Sequence, residues 1–561
     1  MCLISASFQE IAGIFRTLPP IISFIKDSSI CCPTTTTFFI INATLLKMPR
    51  RFLLFAIGLL SCFSSLAQHW LGLSSSNYAG TNALYLNPAH AADSRHKLYI
   101  NLVGNDFFLI NNYLRYDAPY SFLSLTTNSV SNKYRSERGL IIWRDSYYVE
   151  RLNGQPKHFH TGGDLRGPSF LYSFKKNRFA IGLTSRGRYM LNMTNVSEET
   201  ARVIRYGTDL KELQSIQYPN QTAKLSTNGY IELGVTFGAV LADYDEHFVK
   251  VGATIKRMVG VYNLHADLQN ANYRINIESL NREREFILAQ TLQATYGYTT
   301  DEAFNNISPS PQFLFGNRSA GGGWGLDIGA VYEYRPDFSK YRVAAPKGGK
   351  EPDPNRNKYK FRISAALNDV GAIRYNNLNY VREIDVNTSS KTFSYKYFDK
   401  ANSSGKAIGA VNNTLNIRPD ENARAFKVGL PTSANVSFDY HHKGNWYVNG
   451  LWVQSLRGNN NLDIKPQSVL AVTPRYETRW IEVATPLAMI DNYRVFTVGL
   501  AARLGPVIIG TDHLGALLDI GRPQGLDFYF GLYAPFFHRK PKDPNKCWYV
   551  PYDKPAKRKR K

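Results

Sequence analysis

The chain has 561 residues, of which 13% are aromatic and 20% are charged, and its formal net charge is +23. Four of the five cysteines lie within the first 62 residues and only Cys547 follows them, which excludes a disulfide-bonded scaffold for the rest of the chain. No stretch after Gln68 approaches the roughly 18 apolar residues that a transmembrane helix needs, which excludes a helical inner-membrane bundle.

The segment MPRRFLLFAIGLLSCFSSLAQHW begins at Met48 and has the parts of a secretory signal peptide in order. Two arginines precede an apolar run, and a small-residue site ends at Ala67, directly before Gln68. We therefore predict a signal peptide over residues 48–67, cleaved between Ala67 and Gln68. An alternative takes LLSC as a lipobox with Cys62 acylated, although Leu60 fits the second position of that box poorly.

The 47 residues ahead of Met48 have neither a steady hydrophobic period nor a clean helix cap. An export signal acts by being the first segment to meet the export machinery, and Met48 can itself start translation. We predict that residues 1–47 are a mis-called N-terminal extension. The alternative is that they form a long, natural start of the signal peptide.

Alternation of apolar and polar residues is the main structural signal after the signal peptide. In GLDIGAVYEYR, Leu326 and Ile328 share one face, while Asp327, Glu333 and Arg335 lie on the other. A period of two with charges on one side only predicts a β-strand whose two faces meet different surroundings.

Two further segments alternate in the same way. HFVKVGATIKR places Lys250 and Lys256 on one face, and RVFTVGLAARLG places Arg503 on one face. These runs extend for about nine to eleven residues, the length that crosses a bilayer at a tilt. The pattern favours a transmembrane β-barrel over a soluble sandwich, and we predict a barrel over residues 97–537, preceded by a luminal or periplasmic segment, 68–96.

Short polar turns are predicted at Lys175 to Arg178 and at Asp243 to His247, and such turns normally face the periplasm. Long connections are expected at about 113–165, 194–227, 266–323 and 375–424. Two of them contain segments that we interpret as helix-like, SEETARVIR with Ser197 as its N-cap, and ESLNREREFILAQTLQATYG.

Four segments, ALYLNPAHAADSRHKLYINLVG, GLDIGAVYEYRP, AALNDVGAIRY and LGPVIIGTDHLGALL, together resemble a family of exported Bacteroidota outer-membrane proteins of uncharacterised role, catalogued as domain of unknown function 5723. More remotely, the Asn87-Pro88-Ala89 segment is similar to the start of the long-chain fatty-acid transporter barrels and of the PorP/SprF barrels of type IX secretion and gliding. The resemblance implies an all-β, transmembrane antiparallel barrel of about 14 strands in the outer membrane of a Gram-negative bacterium. It also implies that Asn87 and Pro88 lie near or inside the lumen.

The resemblance brings no catalytic residues, and we predict neither an enzymatic activity nor a cofactor. Two classes of function remain. One is passive transport of a hydrophobic or small solute, as the fatty-acid transporter resemblance suggests. The other is a non-enzymatic scaffold that anchors periplasmic or cell-surface machinery, as the type IX relatives suggest. Transport is favoured, because the sequence shows no separate binding module.

The inward charges of the alternating strands are the best candidates for a function in the lumen. They are Lys250, Lys256, Asp327, Glu333, Arg335 and Arg503. The structural alternative is that opposite charges pair across the wall and fill the lumen, which is common in small barrels.

Residues 538–561 form a basic, proline-rich tail with ten Lys and Arg against two Asp. Its last five residues are Lys557, Arg558, Lys559, Arg560 and Lys561. We predict that they contact an acidic periplasmic protein or anionic lipid headgroups, in addition to the outer-membrane lipid around the barrel. The alternative is a solvated tail, and the export signal argues against a nucleic-acid partner.

Histidines and acids form three adjacent groups: His158 with His160, His441 with His442, and Asp512 with His513. Neighbouring strand residues face opposite sides, which argues against a shared metal at the second pair. The first pair has no Cys or carboxylate at ligand spacing, so we predict no metal site. For the third group we expect a hydrogen bond in the lumen.

Overall fold

The structure is a computed structural model, and it describes residues 70–539 except 209, 278–284, 306, 309, 345–349, 395–396, 399–402, 459–462 and 522. The predicted N-terminal extension, the signal peptide with its cleavage site, and the basic tail from residue 540 onward lie outside the described residues.

The described residues are mostly β-strand. The strands are β1 (His96–Asn111), β2 (Leu114–Tyr116), β3 (Tyr148–Glu150), β4 (Lys157–Arg166), β5 (Ser169–Phe174), β6 (Phe179–Val196), β7 (Gln217–Tyr244), β8 (His247–Ile277), β9 (Glu285–Thr299), β10 (Gly321–Tyr334), β11 (Arg342–Ala344), β12 (Lys350–Pro352), β13 (Phe361–Tyr375), β14 (Val381–Ser394), β15 (Phe426–Gly429), β16 (Ser433–Lys443), β17 (Trp446–Ser455), β18 (Val469–Glu477), β19 (Ile481–Ala484), β20 (Leu487–Ile490), β21 (Val495–Val498), β22 (Leu500–Leu504), β23 (Val507–Thr511) and β24 (Gly525–Phe537).

Helices are short. The α-helices are α1 (Phe122–Thr126), α2 (Glu198–Tyr206), α3 (Asp301–Asn305), α4 (Pro311–Leu314), α5 (Ser404–Leu415) and α6 (Leu514–Leu518), and the 3₁₀ helices are Gly80–Tyr85, Pro88–Ala91, Asn132–Tyr134, Asp145–Tyr147, Lys211–Leu213, Phe338–Tyr341 and Pro419–Asn422. Within the described part of the chain, none of these helices combines the length and the apolar composition that crossing a membrane requires.

Fourteen antiparallel wall strands close into a barrel. In order around the wall they are β1, β4 with β5, β6, β7, β8, β10, β13, β15 with β16, β17, β18, β19 with β20, β21 with β22, β23 and β24. The seam joins β1 to β24, from His96 opposite Phe537 to Ile110 opposite Gly525. The predicted closed barrel is confirmed.

The wall strands present an apolar outer face and a polar inner face, as their period of two predicts. In β10, Leu326 and Ile328 are exposed on the outside, whereas Asp327 and Glu333 are buried inside. The same alternation holds in β8, where Ile255 is exposed and its neighbours in sequence are buried. Apolar groups toward the surroundings and charges toward the lumen are the arrangement of a barrel that sits in lipid.

The two ends of the barrel differ. At one end, which we call the turn end, the chain reverses in short turns such as Lys175 to Arg178 between β5 and β6, and β1 begins and β24 ends there. At the opposite end, the loop end, β7 and β8 continue as a pair beyond the wall. There β8 pairs with β9, and β9 pairs in turn with β14. Helices α2 and α5 cover this extension and bury an apolar core against it.

One predicted helix is wrong and one is confirmed. Residues 278–284 of ESLNREREFILAQTLQATYG lie outside the described residues, and residues 285–297 lie in β9. In β9, Ile287 lies opposite Ile275 of β8 on one side and Phe393 of β14 on the other. Ladder hydrogen bonds on both edges and burial of Ile287 outweigh the local helix preference of its Glu, Gln and Leu residues. SEETARVIR does form a helix, α2, with Ser197 at its N-cap position.

Candidate functional site in the barrel lumen

The lumen is occupied at the turn end by residues Trp70–Arg95, which we call the luminal plug. All of its residues are buried except Asn77, Tyr85 and His90, which are half-buried. The plug has no strand among its described residues, and two 3₁₀ helices supply its only regular structure. Its backbone polar groups are satisfied partly by turns within the plug, such as the Leu73 N–H to the Trp70 carbonyl at 2.8 Å, and partly by the wall, such as the Leu71 N–H to Asp512.

Trp70 holds the beginning of the plug against the wall. Its indole Nε1 donates a hydrogen bond to Asp106 Oδ2 at 2.9 Å, and the ring stacks on Tyr529 with centroids 5.4 Å apart. The Arg166 guanidinium lies 4.1 Å from the indole centroid and also binds Asp106 at 2.9 Å. A cation, a carboxylate and an aromatic ring thus surround a tryptophan that has no exposed surface.

Asn87 and Pro88 hold the end of the plug. The Asn87 carboxamide oxygen accepts a hydrogen bond from the Ala89 N–H at 2.9 Å and caps the 3₁₀ helix that begins at Pro88. Its Nδ2 donates to the carbonyls of Ala330 and Ala365 at 3.2 and 3.1 Å. One side chain therefore fixes both the turn of the plug and its position against β10 and β13.

Glycines in the wall make room for this turn. A Cβ atom on Gly329 would overlap the Asn87 carboxamide, and one on Gly252 would overlap the Pro88 carbonyl. A Cβ on Gly238 would lie 2.8 Å from that of Ala91. These three mid-strand glycines thus allow close approach between the wall and the plug, although glycine stabilises a β-strand less than residues with a side chain do.

The charges predicted to face the lumen are all buried on the inner face, and each has a partner. Lys256 Nζ lies 2.7 Å from Asp327 and 2.6 Å from Asp369. Arg503 Nε lies 2.9 Å from Glu482.

The remaining three predicted charges lie beside the plug. Lys250 Nζ donates to the Ala92 carbonyl at 2.8 Å, and Arg335 binds Glu333 and the plug residue Asp93 at 2.5 and 2.8 Å. Lys358, in the turn-end connection before β13, lies 3.3 Å from Asp93. Burial lowers the pKa of the Lys358 ammonium group to about 8, and the attraction of Asp93 opposes part of this change.

Two further groups of inward charges were missed from the sequence. In the first, Arg186 binds Asp164 and Glu232, both at 2.9 Å, and Arg188 binds Asp369 at 2.9 Å. Charges two residues apart inside an apolar strand, as in TSRGRYM, are the signal that would have found them.

The second missed group surrounds Asp439. Its carboxylate accepts hydrogen bonds from Arg475 at 2.8 Å and from Arg362 at 2.9 Å, and Arg475 also binds Glu477 at 2.9 Å. The Tyr359 hydroxyl donates to the same carboxylate at 2.6 Å. Both missed groups consist of paired charges that fill the lumen.

A cavity of about 850 Å³ opens at the loop end, above the plug. The residues that line it are mostly of polar type, and they include five Lys and Arg against two Asp. The basic residues are Arg151, Lys157, Lys224, Lys465 and Arg494, and the acidic ones are Asp463 and Asp491. A smaller, mainly apolar pocket of about 40 Å³ is lined by Leu71 of the plug together with Phe108, Ile110, Val469 and Ile490.

The small pocket lies one step deeper than the cavity. Ile110 lines the pocket and Asn112 the cavity, while Ile490 lines the pocket and Asp491 the cavity. Asn112 and Asp491 follow the loop-end termini of β1 and β20, whereas Ile110 and Ile490 lie within those strands. The apolar pocket therefore lies on the turn-end side of the cavity, beside Leu71 of the plug.

The three histidine groups have different surroundings. His441 and His442 lie near the turn end, where His441 stacks on Tyr447 with centroids 4.5 Å apart. Asp512 makes the hydrogen bond expected in the lumen, accepting from the Leu71 N–H of the plug at 3.1 Å. His158 and His160 lie on the cavity wall together with Asp491, a residue that the sequence did not associate with them.

Comparison with known proteins identifies similar barrels at very low identity. The Ralstonia pickettii toluene transporter TbuX is 9% identical with a TM-score of 0.36, and the match covers 85% of this chain and 100% of that chain. The Pseudomonas putida toluene transporter TodX is 10% identical with a TM-score of 0.35, covering 82% and 95%. A Pseudomonas aeruginosa FadL homologue is 9% identical with a TM-score of 0.27, covering 85% and 99%.

At such identities, what those proteins transport is not carried over to this chain. No curated protein matches the sequence. A family model described as "Family of unknown function (DUF5723)" matches residues 88–512, and because this is more than half of the 561 residues, the chain belongs to that family.

Proposed function

We propose that the protein is an outer-membrane barrel that passes a small, polar and preferentially anionic solute. The observation that carries the proposal is the loop-end cavity, whose volume of about 850 Å³ lies in the range of small-molecule sites, roughly 300–1,000 Å³. The apolar outer face of the wall supports the membrane location. The sequence left a hydrophobic or a small solute open, and the polar lining favours a small polar one.

The charge of the cavity wall favours an anion. Asp463 is 3.3 Å from Arg457, and Asp491 is 2.9 Å from His158, so both acidic members already have partners. Among the described residues, no ion pair neutralises Arg151, Lys465 or Arg494 on the same wall. A water-filled mouth lined by one sign of charge concentrates ions of the other sign.

Passage beyond the cavity requires the plug to move. Leu71 of the plug lines the pocket beneath the cavity, and the plug is held by hydrogen bonds, ion pairs and packing. A shift of the Trp70 end away from Asp106 and Asp512 would open the path and leave the Asn87 end seated. The Trp70 end is therefore the proposed gate.

Ion selectivity tests the proposal. With the protein in a planar bilayer under a KCl gradient, we expect anion preference, and the double variant Lys465→Glu/Arg494→Glu should reduce the chloride-to-potassium permeability ratio several-fold. Arg418→Glu is the matched control, because Arg418 is 82% exposed and is not among the residues that line the cavity. Absence of any conductance or of organic-anion uptake into vesicles by the wild-type protein would contradict transport.

A scaffold function is the second candidate, and the filled turn end of the lumen favours it. The buried ion pairs around Asp439 and Asp369, together with the plug, occupy that half of the barrel. A scaffold needs a partner surface, and the basic tail, residues 538–561, is the proposed contact for an acidic periplasmic protein or anionic headgroups.

Deleting residues 541–561 should leave the barrel folded, because β24 ends at Phe537. A co-purifying partner should then be lost, and high salt should release it from the full-length protein, since exposed charges are screened within about 8 Å at physiological ionic strength. Pull-downs at two salt concentrations with both proteins measure this. Equal recovery from both would remove the tail from the proposed interface.

A further inference from the structure

Two histidines and an aspartate meet at the edge of the loop-end cavity. His158 and His160 lie on β4, and Asp491 lies in the turn between β20 and β21. One ligand atom from each of the three side chains lies within 4.8 Å of the other two. The histidines are two positions apart in a strand and therefore share a face, and the aspartate is 333 residues away from His158 in the sequence.

We propose that His158, His160 and Asp491 bind a divalent transition-metal ion. Two imidazole nitrogens and one carboxylate oxygen form a donor set for ions such as Zn²⁺, Co²⁺, Ni²⁺ or Cu²⁺, whereas Ca²⁺ and Mg²⁺ prefer oxygen donors throughout. This inference does not depend on the proposed transport function.

The separations suit a metal after a small rearrangement. Metal bonds of about 2.0–2.1 Å at tetrahedral angles place neighbouring donor atoms roughly 3.3 Å apart. His158 Nε2 and Asp491 Oδ2 are already 2.9 Å apart, and the rings of His158 and His160 have centroids 5.2 Å apart at 37°. The three donor atoms lie within 4.8 Å of one another, so side-chain rotations that bring the more distant atoms closer by up to about 1.5 Å give the tetrahedral spacing.

Asp491 has a free donor atom, which is independent support for a ligand. The residue is 2% exposed, and its Oδ1 has no hydrogen-bond partner among the described residues. A buried carboxylate oxygen without a partner costs free energy, and native proteins normally satisfy it with a donor or a cation. A hydrogen bond to His158 alone uses only one of its two oxygens.

The turn that carries Asp491 is held in an unusual conformation. Asp491, Asn492 and Tyr493 all have positive φ, at 51°, 55° and 68°. The Tyr493 hydroxyl accepts a hydrogen bond from Trp452 Nε1 at 2.7 Å, which fixes the turn to β17. Such strain persists only when the surroundings enforce it, and here it directs the Asp491 carboxylate across the barrel mouth toward β4.

His160 has a partner that would orient it as a ligand. Its Nδ1 lies 2.9 Å from the Asn192 carboxamide, so Nε2 is the nitrogen left for the metal. Without a metal, the Asn192 amide satisfies its neighbours best with its NH₂ group toward Nδ1 and its oxygen toward the Lys465 N–H. Metal binding at Nε2 requires the proton to be on Nδ1, so the amide must turn over and accept from Nδ1 when the metal binds. Three protein ligands leave at least one coordination position open to the cavity, whose basic wall would favour an anionic fourth ligand.

Zn²⁺ titration of the full barrel tests the site. The protein should carry no histidine tag, should have Cys547→Ser so that the tail thiol binds no metal, and should be stripped with a chelator first. Competition with a chromophoric chelator should give one tight Zn²⁺ per chain. His158→Ala/His160→Ala should weaken binding at least 100-fold, and Asp491→Asn and Asn192→Leu each about tenfold or more.

The matched control is His441→Ala/His442→Ala, which removes the adjacent pair near the turn end and should leave the affinity unchanged. Heat-modifiable migration on a gel checks that every variant is folded. If a variant does not fold, X-ray absorption of the Zn²⁺-loaded protein gives a second answer, since it should show two imidazole ligands. Failure of the Cys547→Ser protein to bind Zn²⁺ stoichiometrically, or equal affinity in the variant that lacks His158 and His160, would overturn the proposal.

Discussion

Replacing Gly329 by alanine should dislodge the luminal plug while leaving the barrel closed. The added methyl group would overlap the Asn87 carboxamide, which joins the plug to the Ala330 and Ala365 carbonyls. Overpacking at a tight contact costs about 1–3 kcal/mol, and here the loosely structured plug is easier to move than the ladder of β10. We expect single-channel conductance to rise several-fold and the plug to become open to chymotrypsin.

Gly187→Ala is the matched control for that experiment. Gly187 lies in wall strand β6, and a Cβ atom there would meet nothing within 4 Å. This variant should keep the conductance and the protease resistance of the wild type. If Gly329→Ala behaves in the same way as this control, the contact between Gly329 and Asn87 does not hold the plug in place, and movement of the Asn87 end does not limit passage.

Asp439→Leu should produce the largest loss of stability. Asp439 has no exposed surface, and its carboxylate binds both Arg475 and Arg362. Without this carboxylate, two buried guanidinium groups face each other, and Glu477 is the nearest remaining negative charge. Breaking a buried ion pair in this way lowers the free energy of unfolding by about 3–5 kcal/mol. Urea unfolding in lipid vesicles, followed by tryptophan fluorescence, measures the change.

Asp385→Asn is the control, because it breaks an exposed pair. Asp385 binds Arg424 at 2.9 Å, but the two side chains are 61% and 53% exposed. Pairs of this kind contribute about 0–1 kcal/mol in water. A loss of less than 1 kcal/mol in Asp439→Leu would mean that water reaches the turn-end lumen and solvates the freed arginines, which would in turn weaken the case for a filled scaffold.

The wall of the barrel could be predicted from the sequence because its signal is local. Successive residues of a wall strand face lipid and lumen in turn, so the alternation depends only on neighbouring residues. It is visible in the sequence at Asp327 and Glu333 and at Lys250 and Lys256, which all lie on the inner face. Helix α2 could be predicted for the same reason. The strand count came from family resemblance, since alternation does not say how many strands close a wall.

What the sequence could not show depends on distant contacts. β9 looked helical because its two strand partners lie elsewhere in the chain. The plug fits against the wall because Gly252 lies opposite Pro88 and Gly329 lies opposite Asn87. These pairs are far apart in the sequence, so no local pattern reveals them. Asp491 joins His158 only when the barrel closes, so a search for ligands at short spacing finds the histidines without their carboxylate.

The position of the plug directly before β1 restricts the order of assembly. The seam joins His96 to Phe537, so the first and last wall strands meet only when almost all of the wall has been synthesised. Trp70, buried against Asp106 of β1 and Tyr529 of β24, contacts both sides of that seam. The plug must therefore enter the lumen before the β1–β24 ladder closes. A bulky domain fused ahead of Trp70 would then have to be enclosed in the lumen or would prevent the ladder from closing.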